Sequence, residues 1–430
     1  MNGTPSPAPT SSRASELDAA DPLRSWRARF ALPRDKRGRE FIYLCGHSLG
    51  LAPIAARARV LEELEDWERL GVLGHEHAKR AWIGYAERLA PGLARLTGAE
   101  PTEVVAMNSL TVNLHLLLAS FYRPTSARHR ILIEAGAFPS DRHALSSQIR
   151  WHGYDPATAL IEVAPRPGEE LLRAEDVEAH IGAAGADLAL VLWPGVQYRT
   201  GQAFDLAQLV RHARRAGALV GFDLAHAIGN LPLALHDSDA DFAVWCSYKY
   251  LNGGPGAIGG AFVHERHAHD VRLPRLAGWW GSDPATRFRM SDEFELSPGA
   301  AGWQVSNPPV LSAAPLYESL EMFTAAGLGA LRAKSERLTA FLYDALLSQC
   351  GQDIEVITGA DPQRRGCQLS VRVRGGTERA RRVYAGLAER GVVGDWREPD
   401  TIRLAPVPLY NSYTDAWCAA ELLTGALSEQ

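Results

Sequence analysis

The sequence has few cysteines and no pattern among them. Cys45, Cys246, Cys350, Cys367 and Cys418 are odd in number, scattered and free of CxxC spacing, which argues against a disulfide framework or a zinc site and fits free thiols in a reducing cytosol. Long runs of lysine or arginine are missing and the net charge is only −5, so neither nucleic acid nor an acidic membrane surface is expected as a partner. Long apolar runs are missing too: the most apolar stretch, residues 114–122, contains His115 and is too short to span a bilayer. The first fifteen residues, rich in Pro, Ser, Thr and Ala, hold no apolar segment of signal-peptide length. Residues 1–21 therefore read as a disordered leader, and the chain as soluble and cytoplasmic. No internal repeat recurs at a period that would build a solenoid or propeller.

What is present is informative chiefly in its order. At 430 residues the chain exceeds what one compact domain usually holds, so two domains are expected. From about residue 100 to 265, helical patterns alternate with short β-rich runs at 104–105, 130–134, 188–193, 218–222, 242–245 and 260–264. These runs are apolar without strict alternation, as strands buried on both faces of a sheet should be. One intervening helix is easily read: Asp205 caps it, Leu206, Leu209, Val210 and Ala213 form its apolar face, and Gly217 ends it. Strand, helix and strand in that order predict an α/β fold with a mostly parallel sheet, whose polar strand ends are where ligands bind. Long helices over about 312–350 and 377–390, flanking β-rich pieces at 367–373 and 401–405, predict a smaller α+β domain over 311–430. Residues 22–90 are expected to complete it as an N-terminal part and arm, leaving 91–310 as the large domain. The boundary is placed after Asn307-Pro308-Pro309, because tandem prolines disfavour continuing either helix or sheet.

Two segments about twenty-five residues apart carry the strongest chemical signal. Gly221-Phe222-Asp223-Leu224-Ala225-His226 places an acid just past a strand, and Trp245-Cys246-Ser247-Tyr248-Lys249 places a lysine between a strand and a glycine-rich turn. Pyridoxal phosphate (PLP) needs both: a lysine to bind its aldehyde as a Schiff base and an acid to keep its pyridine nitrogen protonated. Lys249 suits the first role and Asp223 the second. Asn108-Ser109-Leu110-Thr111 opens an apolar helix with hydroxyls and backbone N–H groups, either as a phosphate site or as ordinary N-capping by Ser109 or Thr111. Phe138, in Ala137-Phe138-Pro139-Ser140-Asp141, is either a ring that stacks on the pyridine or a loop aromatic packed on the core. Gly254-Pro255-Gly256-Ala257-Ile258-Gly259 matches GxGxxG but runs on into a strand-like segment, so no dinucleotide is expected. His264, His267 and His269 read as a solvated helix start, and neither they nor His75 and His77 have a companion ligand set, so no metal is expected.

These segments, together with Tyr43 to Gly50, Gly74 to Trp82, Gly278-Trp279-Trp280-Gly281, Val305 to Pro309 and Arg403 to Tyr410, occur in order along the chain. In this the chain resembles the kynureninase family of fold type I PLP enzymes, class V aminotransferase-like, and within it the eukaryotic-type members that use 3-hydroxykynurenine. The resemblance implies a seven-stranded, mostly parallel sheet in the large domain and a homodimer with active sites at the subunit boundary. It implies hydrolysis of L-kynurenine or 3-hydroxykynurenine to L-alanine and an anthranilate, in tryptophan catabolism and NAD biosynthesis. By the same resemblance Lys249, Asp223 and Tyr248 are catalytic. The cofactor is met by Leu110, Thr111, Phe138, Pro139, Ser140, Asp141, Asp223, His226, Tyr248 and Lys249, with Trp279 and Asn307 reaching it from the other subunit or a neighbouring loop. Ser48, His75, Asn307 and Arg403 bind substrate, Arg403 taking the α-carboxylate with two parallel donors, and His75 and Asn307 meeting a ring hydroxyl. Departures from the family pattern are His47, Arg199, Ser282 and Pro194, the last standing where a small hydroxyl residue often contacts the cofactor. They bear on substrate preference, not on the reaction class. The rival expectations are a cysteine desulfurase, which needs a reactive cysteine on a mobile loop, and a catalytically silent PLP-binding homologue.

Overall fold

The protein is represented by a computed structural model that describes residues 9–268 and 270–429. The chain forms two compact units. The larger comprises residues 55–197 and 204–325, and the smaller comprises the described residues up to Ile54, the excursion Tyr198–Ala203, and everything described from Ala326 onward.

The larger unit is built on a seven-stranded sheet of β1 (Val104–Ala106), β2 (Arg130–Glu134), β3 (Leu160–Val163), β4 (Leu188–Pro194), β5 (Leu219–Asp223), β6 (Phe242–Trp245) and β7 (Gly260–Val263). Their order is β1-β7-β6-β5-β4-β2-β3. The run from β3 to β6 is parallel, and β7 alone is reversed, pairing antiparallel with both β6 and β1. Six of these strands are the runs expected from the sequence. The seventh, β3, is a four-residue edge strand with three of its side chains at least partly exposed, so it lacks the fully apolar signature of its neighbours.

Helices α1 (Ile54–Leu70), α2 (Leu110–Phe121), α3 (Pro139–Trp151), α4 (Leu206–Arg215) and α5 (Val310–Ala326) belong largely to this unit. In α4, Asp205 accepts the Gln208 N–H at 2.8 Å, and Leu209, Val210 and Ala213 are buried, as the apolar pattern requires. Arg214 and Arg215 in its last turn complement the negative end of the helix dipole. Leu114, Leu117, Leu118 and Phe121 of α2 share one core with Ile131, Ile133, Phe242 and Val244 from the sheet, and Phe121 stacks on Phe242 at 4.9 Å. Burying such a side chain contributes about 1.5–3 kcal/mol, so this face anchors the helix.

The smaller unit holds a four-stranded antiparallel sheet, β8 (Ile354–Val356), β9 (Leu369–Val373), β10 (Asp395–Arg397) and β11 (Thr401–Leu404), in the order β8-β9-β11-β10. Helices α6 (Leu328–Cys350), α7 (Thr377–Glu389) and α8 (Tyr413–Ser428) bury their apolar sides with it.

Four sequence expectations are corrected here. The leader, expected to be disordered through residue 21, forms the helix Ser11–Ala19. Ala14 is buried, Asp18 accepts the Tyr413 and Thr414 N–H groups at 2.7 and 3.0 Å, and Asp21 forms a buried ion pair with Lys334 at 2.8 Å. Local composition suggested disorder, and contacts more than three hundred residues away supply order. Residues 1–8 of that leader lie outside the described residues. The tandem prolines do not divide the units: they precede α5, where a missing N–H is tolerated, and the chain changes unit at Ala326. Next to that point Gly327, at φ +79°, breaks what had read as one helix over 312–350 into α5 and α6. Finally, residues 55–90 fold with the larger unit, not the smaller.

Candidate active site

In the larger unit, β5 and β6 are parallel neighbours in which Asp223 lies opposite Val244, so both strands deliver their C-terminal ends to one edge of the sheet. Asp223 ends β5, is buried, and accepts the Ala225 N–H at 2.7 Å. Lys249 follows β6 in a tight turn closed by Asn252 N–H to Lys249 O (2.9 Å) and Gly253 N–H to Ser247 O (2.8 Å). Asn252, Gly254 and Gly256 sit at φ +52°, +84° and +71°, which explains the polar and glycine-rich composition there. The Lys249 Nζ lies 3.0 Å from His226 Nε2, 5.7 Å from the centre of the Phe138 ring and 5.9 Å from that of Tyr248. Phe138 is the residue before α3 and is 41% exposed, so it is not the core-packed loop aromatic of the blander expectation.

The first turns of α2 and α3 meet through a 2.8 Å hydrogen bond between the Thr111 and Ser140 hydroxyls. Ser109, at the N-cap of α2, makes no side-chain capping bond, which decides against ordinary N-capping by that residue. The opening N–H groups of a twelve-residue helix are therefore not capped by its N-cap side chain. Gly259 passes close by: a Cβ there would come within 3.0 Å of Trp245 O and 3.2 Å of Leu110 N. An N–H-rich helix start, two hydroxyls, an accessible aromatic ring, a lysine amine and a buried strand-end acid fit a phosphate-bearing aromatic aldehyde such as PLP.

Carboxyl groups crowd behind Asp223. Asp141, in the first turn of α3, is held well above the ordinary carboxyl range by burial, then by the charge of Asp223 and a hydrogen bond with it. Glu134, the last residue of β2, is pushed up to about 8 by burial, with the Asp223 charge adding to the effect. Both shifts favour the protonated carboxyl. Glu134 went unremarked in the sequence, although an acid ending an apolar run is the same signal that singled out Asp223. Burial first, and then Cys246, pushes the Tyr248 phenol up, so it remains a proton donor. Pro194, set aside from the site, ends β4 directly opposite Asp223.

In the smaller unit, Arg403 on β11 is fully buried. Its guanidinium meets the Asp395 carboxylate at 2.8 and 3.2 Å, the Tyr198 carbonyl at 2.7 Å and the Ser48 hydroxyl at 3.1 Å, and Ser48 in turn donates to Asp395. Asp395 lies opposite Arg403 across the β10–β11 pair. Nothing in the local sequence marked Asp395, because its role comes from strand register.

The hydrogen-bond and ring partners of Lys249 among the described residues are His226, Phe138 and Tyr248. His75, Trp279 and Asn307 are not among them. His75 is half-buried against Trp82 at 5.6 Å. Trp279 is 48% exposed, donates its indole N–H to the Arg287 carbonyl at 3.1 Å and meets Phe288 edge to face at 5.4 Å. Asn307 is exposed. The histidines expected at a solvated helix start are instead engaged with acids: His264 is buried 3.6 Å from Glu103, and His267 meets Asp241 at 2.8 Å. His269 lies outside the described residues. Glu103 with His236 and His264 forms a compact group, but the Glu103 oxygens already accept the Glu100 and Glu265 N–H groups.

Comparison with known proteins gives this geometry a family. Residues 331–423 match the family model described as the kynureninase C-terminal domain. A kynureninase of Xanthomonas campestris pv. campestris (strain B100) is 58% identical over 404 residues, covering 94% of this chain and 95% of the relative. One from Xanthomonas oryzae pv. oryzae (strain PXO99A) is 59% identical over 417 residues, covering 95% and 98%. Among solved structures, the cysteine desulfurase CsdA from Escherichia coli aligns with a TM-score of 0.76 at 18% identity, covering 95% of this chain and 98% of that one. A variant of the lyase C-DES with glycine covalently linked to its PLP cofactor aligns with a TM-score of 0.76 at 17% identity, covering 89% and 96%. At such identities the structural likeness speaks for the fold, whereas the near full-length identity to the Xanthomonas proteins speaks for descent: the chain belongs to the kynureninase family.

Proposed function

We propose that the chain hydrolyses the side chain of L-kynurenine or 3-hydroxykynurenine, releasing L-alanine with anthranilate or 3-hydroxyanthranilate, with PLP held at Lys249. The observation that carries this reading is the Lys249 amine, 3.0 Å from His226 and near the Phe138 ring, at the sheet edge where the buried acid Asp223 ends its strand. When bound, PLP supplies an electron sink for the charge left on the substrate α-carbon.

The remaining tasks fall to side chains of this chain. Lys249 anchors the cofactor and carries the α-proton, with His226 beside it. Asp223 pairs with the ring nitrogen, and the burial that favours the protonated forms of Asp141 and Glu134 lessens like-charge repulsion around it. Leu110 and Thr111 at the start of α2, with Pro139 and Ser140 at the start of α3, hold the phosphate. Tyr248, kept protonated by burial, donates to the phosphate or to the substrate carbonyl. Arg403 takes the α-carboxylate with Ser48 beside it, and Asp395 holds the guanidinium in orientation beforehand. His75 and Asn307 meet the ring hydroxyl that separates the two substrates, so 3-hydroxykynurenine is expected to be at least as good a substrate as kynurenine.

The desulfurase alternative needs a reactive thiolate. Burial pushes the Cys45, Cys246, Cys350 and Cys418 thiols up, and Cys367 is buried, so none of the five is poised for that role. The same proposal includes a homodimer in the cytoplasm, serving tryptophan catabolism and NAD biosynthesis, with Trp279 and Asn307 reaching the partner's cofactor. The exposed Trp279 and Phe288, in ring contact, and the exposed Met290, which lines the same groove as Trp279, supply apolar surface of the kind a subunit boundary covers. No helix among the described residues is long and apolar enough to cross a membrane. The purified protein is expected to show the visible absorbance of lysine-bound PLP and to release fluorescent anthranilate from L-kynurenine. Cofactor absorbance with neither substrate consumed would sink the reaction while keeping the cofactor.

A further inference from the structure

The segment that carries His75 is held by a buried carboxylate that no part of the mechanism above uses. Glu63, on α1, is 1% exposed and accepts three hydrogen bonds: from Arg80 Nε at 2.6 Å, Tyr85 Oη at 3.0 Å and Trp82 Nε1 at 3.0 Å. The neighbouring acids of the helix fasten the same segment. Glu62 binds Arg80 at 2.7 Å and Lys79 at 2.9 Å, and Asp66 accepts the Lys79 N–H at 2.7 Å. The Trp82 indole lies directly over Gly74, where a Cβ would fall 2.3 Å from the ring. Among the described residues its aromatic contact is with His75, the rings meeting at 83° with centres 5.6 Å apart.

We propose that Glu63 is a positioning residue for substrate selection, acting through Trp82 to fix the orientation of the His75 imidazole. The inference rests on the reading that His75 meets the substrate's ring hydroxyl. Its physical basis is the difference in freedom along the chain of contacts. A half-buried imidazole on a four-residue helix has few constraints of its own. An indole whose N–H is bound to a buried carboxylate, and whose face is pressed on a glycine backbone, cannot swing. Only a residue without a side chain at position 74 permits that contact, which gives Gly74 a place in the same device.

The test is the ratio of kcat/KM for 3-hydroxykynurenine over kynurenine, measured on holoenzyme, because a general structural defect lowers both values and leaves their ratio alone. His75→Phe is expected to lower the ratio about tenfold, and Glu63→Gln about three- to tenfold, the range of one misplaced hydrogen bond. In the double variant Glu63→Gln with His75→Phe, the ratio should equal that of His75→Phe alone. Trp82→Phe, which keeps a ring and removes the donor, should reproduce the Glu63→Gln ratio and serves in its place if that variant does not fold. A ratio unmoved by Glu63→Gln and Trp82→Phe but lowered by His75→Phe overturns the positioning role and keeps the reading of His75. An equal fall from Glu63→Gln in both backgrounds overturns it as well, since the effect would then bypass His75. A ratio unmoved by His75→Phe overturns the reading and the inference built on it together.

Discussion

In the proposed reaction Lys249 combines two duties in one amine, and that sets the size of its loss. Lys249→Ala is expected to reduce turnover by at least about 10³-fold, because cofactor anchoring and proton transfer disappear together. Anthranilate release followed by fluorescence measures it, and substantial residual steady-state activity would remove Lys249 from the role. Glu134 makes a different kind of claim. Its carboxyl titrates at about 8 in the folded protein and at about 4.3 when unfolded. The native state therefore binds the extra proton between those values, and this group's contribution is fully present below about pH 4 and lost as pH rises through 8. Glu134→Gln removes that dependence. Relative to wild type, its melting temperature should rise from pH 5 to pH 9, corresponding to a differential on the order of a few kcal/mol. Parallel melting curves across that range would show that Glu134 does not hold its proton.

At the scale of elements, helix starts decide both stability and binding. The N-terminal helix Ser11–Ala19 places Asp18 against the first N–H groups of α8, where it also accepts the Thr414 hydroxyl. Asp18→Ala is expected to cost about 1–2 kcal/mol, visible as a lower urea midpoint at unchanged slope. An unchanged midpoint would mean that α8 is sufficiently capped by its own Ser412–Asp415 box. The start of α2 is proposed to serve a ligand instead. Thr111→Val keeps the branched shape and removes the hydroxyl that meets Ser140. PLP affinity, titrated by absorbance, should weaken about three- to tenfold with the melting temperature of the cofactor-free protein little changed. Equal affinity would place the phosphate elsewhere.

At the scale of the whole molecule, the proposed dimer makes each site a joint product. If Trp279 serves the partner's cofactor, Trp279→Ala and Lys249→Ala chains are each inactive alone but complementary when mixed. The mixed dimer then holds one site with both defects and one with neither, so refolding equal amounts together should restore about a quarter of wild-type activity. No recovery from a mixture that demonstrably forms mixed dimers would confine Trp279 to its own chain.

The large unit was legible because its strands are buried on both faces and so consist of continuous apolar runs, each ended by a polar residue. Asp223 and Lys249 could be found in this way, and so could α4 from its cap, apolar face and terminal glycine. The edge strand β3 escaped because half-exposure dilutes its apolar signal. The order of residues 11–21 escaped because it is conferred by α8 and Lys334, far along the chain. Glu134 has its protonation, Asp395 its grip on Arg403 and Glu63 its hold on Trp82 only through partners that folding brings alongside. Taken alone, the sequence determined the α/β class and the family and put an acid and a lysine at the ends of two strands, since these follow from local pattern and ordered motifs. Tertiary structure alone decided which carboxyls keep their protons and which buried charges are matched, because burial and pairing exist only once distant segments have packed.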